Sequence, residues 1–97
     1  MPLGGRRRRF LRSLGHHLEP VVQVGKLGVT EALLGAVEEA LLRHELIKVR
    51  CGRESPLSRS EIAETLCTAL SAELVQSLGH VLLLYRPNPD APRIRLP

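Results

Sequence analysis

Apolar residues recur at helical spacing in three stretches of the chain and gather into short runs in four others. Phe10, Leu14 and Leu18 stand at i, i+4 and i+8 with Leu11 beside them, which predicts a helix from Arg6 to about Gly15. On that helix Arg8, Arg9 and Arg12 fall on the side away from the apolar stripe. Pro20 stops the helix, and Val21-Val22-Gln23-Val24 reads as a strand. A second helix runs from about Thr30 to His44, with Leu33, Leu34, Val37, Ala40 and Leu41 inside and Glu31, Glu38 and Glu39 outside. Leu46 to Cys51 alternates as a strand does, with Ile47, Val49 and Cys51 on one face and Leu46, Lys48 and Arg50 on the other. One face is therefore core and the other is partly basic.

Ser58-Arg59-Ser60-Glu61 fits a capping box, with Ser58 as N-cap and Glu61 reaching back to it. Ile62, Leu66 and Leu70 mark the stripe of the third helix that follows. No glycine stops this helix, so its end falls between Ser71 and Glu73. Leu74 to Leu78 and Val81 to Tyr85 read as a hairpin around Gly79-His80. Val81-Leu82-Leu83-Leu84 is apolar at every position, which predicts a strand covered on both faces or lying inside the sheet. Pro87, Pro89 and Pro92 end regular structure, and Arg93-Ile94-Arg95 is expected to pair loosely or stay mobile.

The order is α-β-α-β-α-β-β. This is an α+β (two-layer α/β) fold with a four-stranded mixed sheet, since two βαβ units imply parallel pairing and the hairpin adds an antiparallel strand. At 97 residues there is room for one domain and a modest core. Residues 1–5 read as a flexible lead and 6–97 as the domain.

The strand-to-helix junction carries Gly25-Lys26-Leu27-Gly28. Glycines permit positive φ and close approach, a helix N-terminus favours an anion, and Lys26 adds a cation at the tip. A phosphate-gripping loop is the functional reading, and an ordinary glycine turn is the plain one. The formal net charge is +4, and its excess is local: residues 1–15 hold Arg6, Arg7, Arg8, Arg9 and Arg12 with no acid. Such a cluster favours a polyanion, nucleic acid before an anionic membrane, with a solubilising tail as the plain alternative.

Catalysis is not expected. His16, His17, His44 and His80 stand at helix ends or a turn, no HxxxH or GxSxG pattern occurs, and no cofactor is implied. The glycine spacing matches neither a P-loop nor a dinucleotide fingerprint. Cys51 and Cys67 make no metal-ligand pattern with any histidine and read as small, reduced residues of a cytosolic protein. No apolar run is long enough to span a membrane and no secretory segment is visible. With one Phe, one Tyr and no Trp, an aromatic platform for unpaired bases is missing; only Tyr85 stands free for such a role. Binding through phosphates and shape, with low sequence specificity, is the expectation.

Four strings carry a family resemblance: Leu11-Arg12-Ser13-Leu14-Gly15-His16; Pro20-Val21-Val22 leading into Gly25-Lys26-Leu27-Gly28; His44-Glu45-Leu46-Ile47-Lys48-Val49; and Leu84-Tyr85-Arg86-Pro87. In order and spacing, over about residues 6–97, they resemble the CRM domain in its small stand-alone bacterial YhbY form. The resemblance implies a fold like the C-terminal domain of translation initiation factor three, with sheet order 1-2-4-3 and strand 4 antiparallel. It implies a monomeric RNA-binding protein of the bacterial cytoplasm that attends precursors of the large ribosomal subunit. Its RNA contacts would be Gly25, Lys26, Leu27 and Gly28 and the helix residues Arg8, Arg9 and Arg12; the basic positions Lys48, Arg50 and Arg86 are further candidate contacts. The run Arg6-Arg7-Arg8-Arg9 is denser than the family pattern, and the third helix lacks its usual terminal glycine. A general DNA-binding protein and a protein-interaction module using a sheet edge are the alternative readings.

Overall fold

The computed structural model describes residues 3–97. The chain runs α1 (Gly5–Gly15), β1 (Pro20–Val24), α2 (Glu31–His44), β2 (Leu46–Cys51), α3 (Arg59–Leu70), β3 (Glu73–Leu78) and β4 (Val81–Tyr85). Met1 and Pro2, part of the expected flexible lead, lie outside the described residues. The sheet order is β1-β2-β4-β3, with β1 parallel to β2 and β4 antiparallel to both its neighbours. The crossover through α3 thus leaves a gap beside β2, and the returning strand β4 fills it. Leu82 and Leu84 of this strand meet the core on one face and Leu83 on the other, which is why residues 82–84 are all apolar.

Alternation along β2 and β4 divides the core in two. Ile47, Val49, Leu82 and Leu84 face α2 and α3, where they meet Val37, Leu41, Ile62 and Leu66. Leu46, Leu83 and Tyr85 face the other way and meet Leu11 of α1 and Val75 of β3. Each Leu or Ile fully buried there stabilises the fold by about 1.5–3 kcal/mol. The sheet with α2 and α3 makes the two-layer body, and α1 adds a partial layer on the opposite face. Tyr85 is buried, so it is not the free stacking surface that the sequence suggested.

Helix α1 uses a different face from the expected one. Leu11 is fully buried, whereas Leu14 and Leu18 keep 39% and 37% of their surface. Gly15, one turn after Leu11, decides this. A Cβ there would lie 2.7 Å from a terminal methyl of Leu83, so only a bare backbone can come this close to the sheet. The Phe10-Leu14-Leu18 stripe is rotated aside. Arg8 turns toward the sheet and donates to the carbonyls of Leu74 and Val75. Those carbonyls belong to a β-bulge, since Leu74 pairs with Leu84 and Gln76 with Leu83, leaving Val75 over.

The helix ends follow the sequence closely. Ser58 Oγ accepts from Glu61 N at 3.2 Å and Glu61 Oε1 accepts from Ser58 N at 2.9 Å. Ser71 ends α3 with φ +55°, doing what a glycine usually does. After α2, Glu45 takes φ +62° and its carboxylate holds the tail. Oε2 accepts from Asn88 N at 2.6 Å, and Oε1 accepts from Arg93 N and Ile94 N at 2.7 and 2.8 Å. Ile94 and Leu96 pack against the α1 side of the core. The tail expected to be loose is therefore fastened by one buried carboxylate. No helix among the described residues is long and apolar enough to cross a membrane.

Candidate nucleic-acid interface

Residues 25–28 form a tight turn, in which Gly28 N donates to Gly25 O at 3.0 Å. Of the two glycines only Gly28 has positive φ, +72°, and it is buried near Pro56. Lys26 and Leu27 stand at the tip, with Leu27 79% exposed. The start of α2 is already capped, because Thr30 Oγ1 accepts from Leu33 N at 3.1 Å and Glu31 occupies the first turn. Glu54 shares the hollow beside the loop. The loop therefore offers a phosphate the Lys26 ammonium and the backbone of its tip, and Gly28 serves to make the turn.

The second part of the interface lies on the α1 face of the sheet. Pro20 is level with Lys48, and Gln23 is level with Arg50. Arg50 thus stands beside the end of β1, two residues before the glycine turn begins. Because α1 ends at Gly15, the sheet beyond Leu83 has no helix over it on this face. The bare region is a groove of about 380 Å³. Arg12 and His16 border it from α1, Lys48 and Arg50 from β2, and Gln76 from β3; Glu19 is the acid on its rim. Parallel pairing of β1 with β2 thus sets Arg50, on the groove, level with Gln23, which lines the hollow beside residues 25–28.

The remaining expected contacts are distributed elsewhere. Arg9 is exposed on α1, and Arg8 is engaged by the β3 bulge. Arg86 is held on the helical side. Its guanidinium grips both Glu38 oxygens, at 2.6 and 2.8 Å, and donates to Leu70 O at 3.0 Å. That hydrogen bond holds the Glu38 carboxyl below its ordinary value. Glu38 is thus half-buried rather than part of a solvated outer face, and Arg86 has little charge left for RNA. Sequence reasoning missed Gln76, which nothing in its local pattern marks, and gave His16 only a plain structural role at a helix end. It also missed Arg53, Arg59 and His80, which border a separate hollow beyond the end of β2. Their signal was positional, since all three follow or flank the same sheet end as the glycine turn. Cys51 and Cys67 are free thiols, with burial pushing both upward in pKa. Among the described residues no three His, Cys, Asp or Glu are grouped to hold a metal ion.

A model of the CRS1 / YhbY (CRM) domain matches residues 3–86, nearly the whole chain. The chain belongs to the CRM domain family. This CRM domain is 41% identical over 95 residues to a Haemophilus influenzae protein named "RNA-binding protein", covering 98% of this chain and 95% of that one. It is 39% identical to the Bacillus subtilis "Probable RNA-binding protein YqeI", covering 98% and 99%. The solution structure of SAV1595 from Staphylococcus aureus superposes with a TM-score of 0.82 at 38% identity, covering 99% of this chain and all of that one. The family match ends at Arg86, so the tail that Glu45 holds lies beyond the matched part of the CRM domain.

Proposed function

We propose that this protein binds structured RNA, that its target is ribosomal RNA within precursors of the large subunit, and that it acts as a monomer in the cytoplasm without catalysing a reaction. The observation that carries the reading is the convergence of Arg12, Lys48 and Arg50 on one open sheet face, with Arg50 level with Gln23, two residues before the loop that bears Lys26. Cations held on a rigid sheet at fixed separations suit a ribose-phosphate backbone of defined shape. The names of the relatives support RNA as the polymer. Arg8, held at the β3 bulge, argues against that strand as a docking edge.

The test is crosslinking in cells followed by sequencing of bound RNA, with RNA and DNA competition at fixed salt alongside. Enrichment of large-subunit precursor fragments, and competition by structured RNA ahead of duplex DNA, are expected. Equal competition by DNA would favour a general nucleic-acid binder, and enrichment of unrelated transcripts would remove the ribosomal target.

A further inference from the structure

We propose that the groove between the end of α1 and the bare sheet face is a pocket for one unpaired nucleotide of the bound RNA. The inference deepens the RNA-binding reading and rests on it.

The lining combines two chemistries that a phosphate track alone does not need. Arg12, Lys48 and Arg50 supply positive charge, while Leu78, Val81 and Leu83 supply an apolar floor. A nucleotide has both matching parts, an anion and a flat base with apolar faces. The His16 ring borders the same groove and is exposed, so it can stack on a base where Phe and Tyr are lacking. A volume of about 380 Å³ lies at the small end of ligand sites and suits a single nucleotide rather than a base pair.

The β3 bulge is the second observation. Leu74 faces α2 and α3, and Val75 faces α1. Regular alternation would then turn Gln76 back toward α3. The extra residue at Val75 instead sets Gln76 level with Leu83 and aims it into the groove. Its amide has no protein partner among the described residues, leaving a donor and an acceptor facing the cavity. An amide so placed can read a base edge. Gly15 and Leu83, packed in contact, form the back wall.

The test uses three RNA hairpins at one salt concentration: fully paired, carrying a one-nucleotide bulge, and carrying the same bulge as an abasic site. The full chain should bind the nucleotide bulge about tenfold more tightly than the abasic one, the scale of one good hydrogen bond with partial burial of a base. Gln76→Leu should lose most of that advantage, its ratio of bulge to abasic affinity falling toward one. Titrating the unaltered protein with nucleoside 5′-monophosphates and with ribose 5-phosphate, followed by NMR, guards against a folding defect in the variant. The nucleotides should shift amides of residues 76–83 beyond anything ribose phosphate causes. Equal affinity for the nucleotide and abasic bulges would overturn the pocket while leaving RNA binding intact. Binding to none of the three hairpins would overturn the RNA reading and the pocket together.

Discussion

Glu45 shows how much a single side chain can hold. It is 1% exposed, and its backbone takes a positive φ that non-glycine residues adopt only when the surroundings require it. Burial alone would raise its pKa, but hydrogen bonds from Asn88, Arg93 and Ile94, with the Arg93 charge, bring it below the ordinary 4.5. A carboxyl lowered on folding stabilises above its unfolded pKa, and the contribution is lost as pH falls through the folded value. Stability should therefore decline from about pH 4.5 downward, Glu38 acting in the same direction through Arg86. Glu45→Ala should lower stability at neutral pH by about 3 kcal/mol and make the acid decline shallower. Urea unfolding at several pH values measures both, and an unchanged midpoint would show that the tail contributes nothing to the fold.

Among the elements, α2 and α3 bury the residues that their spacing predicts, because several large side chains agree on one face. Helix α1 does not. It has five arginines and two glycines in 11 residues, and its orientation is set by fit rather than by a count of apolar positions. A periodicity reading scores Gly15 as a gap, whereas in the fold that gap is the contact. Gly15→Val should lower stability by about 2 kcal/mol through the clash with Leu83, read as a shift in thermal midpoint. A neutral result would mean that α1 can lift off the sheet at little cost. The strand order came from the family resemblance, and the apolar run of residues 81–84 agrees with the interior place of β4. The bulge that aims Gln76 was not legible, since register depends on the partner strand and leaves no mark in the sequence. Arg86 and Glu38 stand 48 positions apart, so no local pattern could show that this arginine was already occupied.

For the whole molecule, charge and topology jointly define the proposed binding surface. Arg12, Lys26, Lys48 and Arg50 are the cations at the groove and the loop, and Arg9 is exposed on α1. Neutralising about five phosphates gives a slope of roughly −4 for log K against log salt. Replacing Arg12, Lys48 and Arg50 together by Ala should flatten that slope by up to about three and weaken all RNA sequences alike. Filter binding over a salt series decides the matter, and an unaltered slope would move the interface elsewhere. The tail fastened by Glu45 has a further geometric consequence. It brings Leu96 to the same apolar cluster as Leu3, and Arg7 Nε donates to Pro97 O at 3.4 Å. The first and last described segments, residues 3–7 and 94–97, therefore lie side by side, and the fold nearly closes on itself.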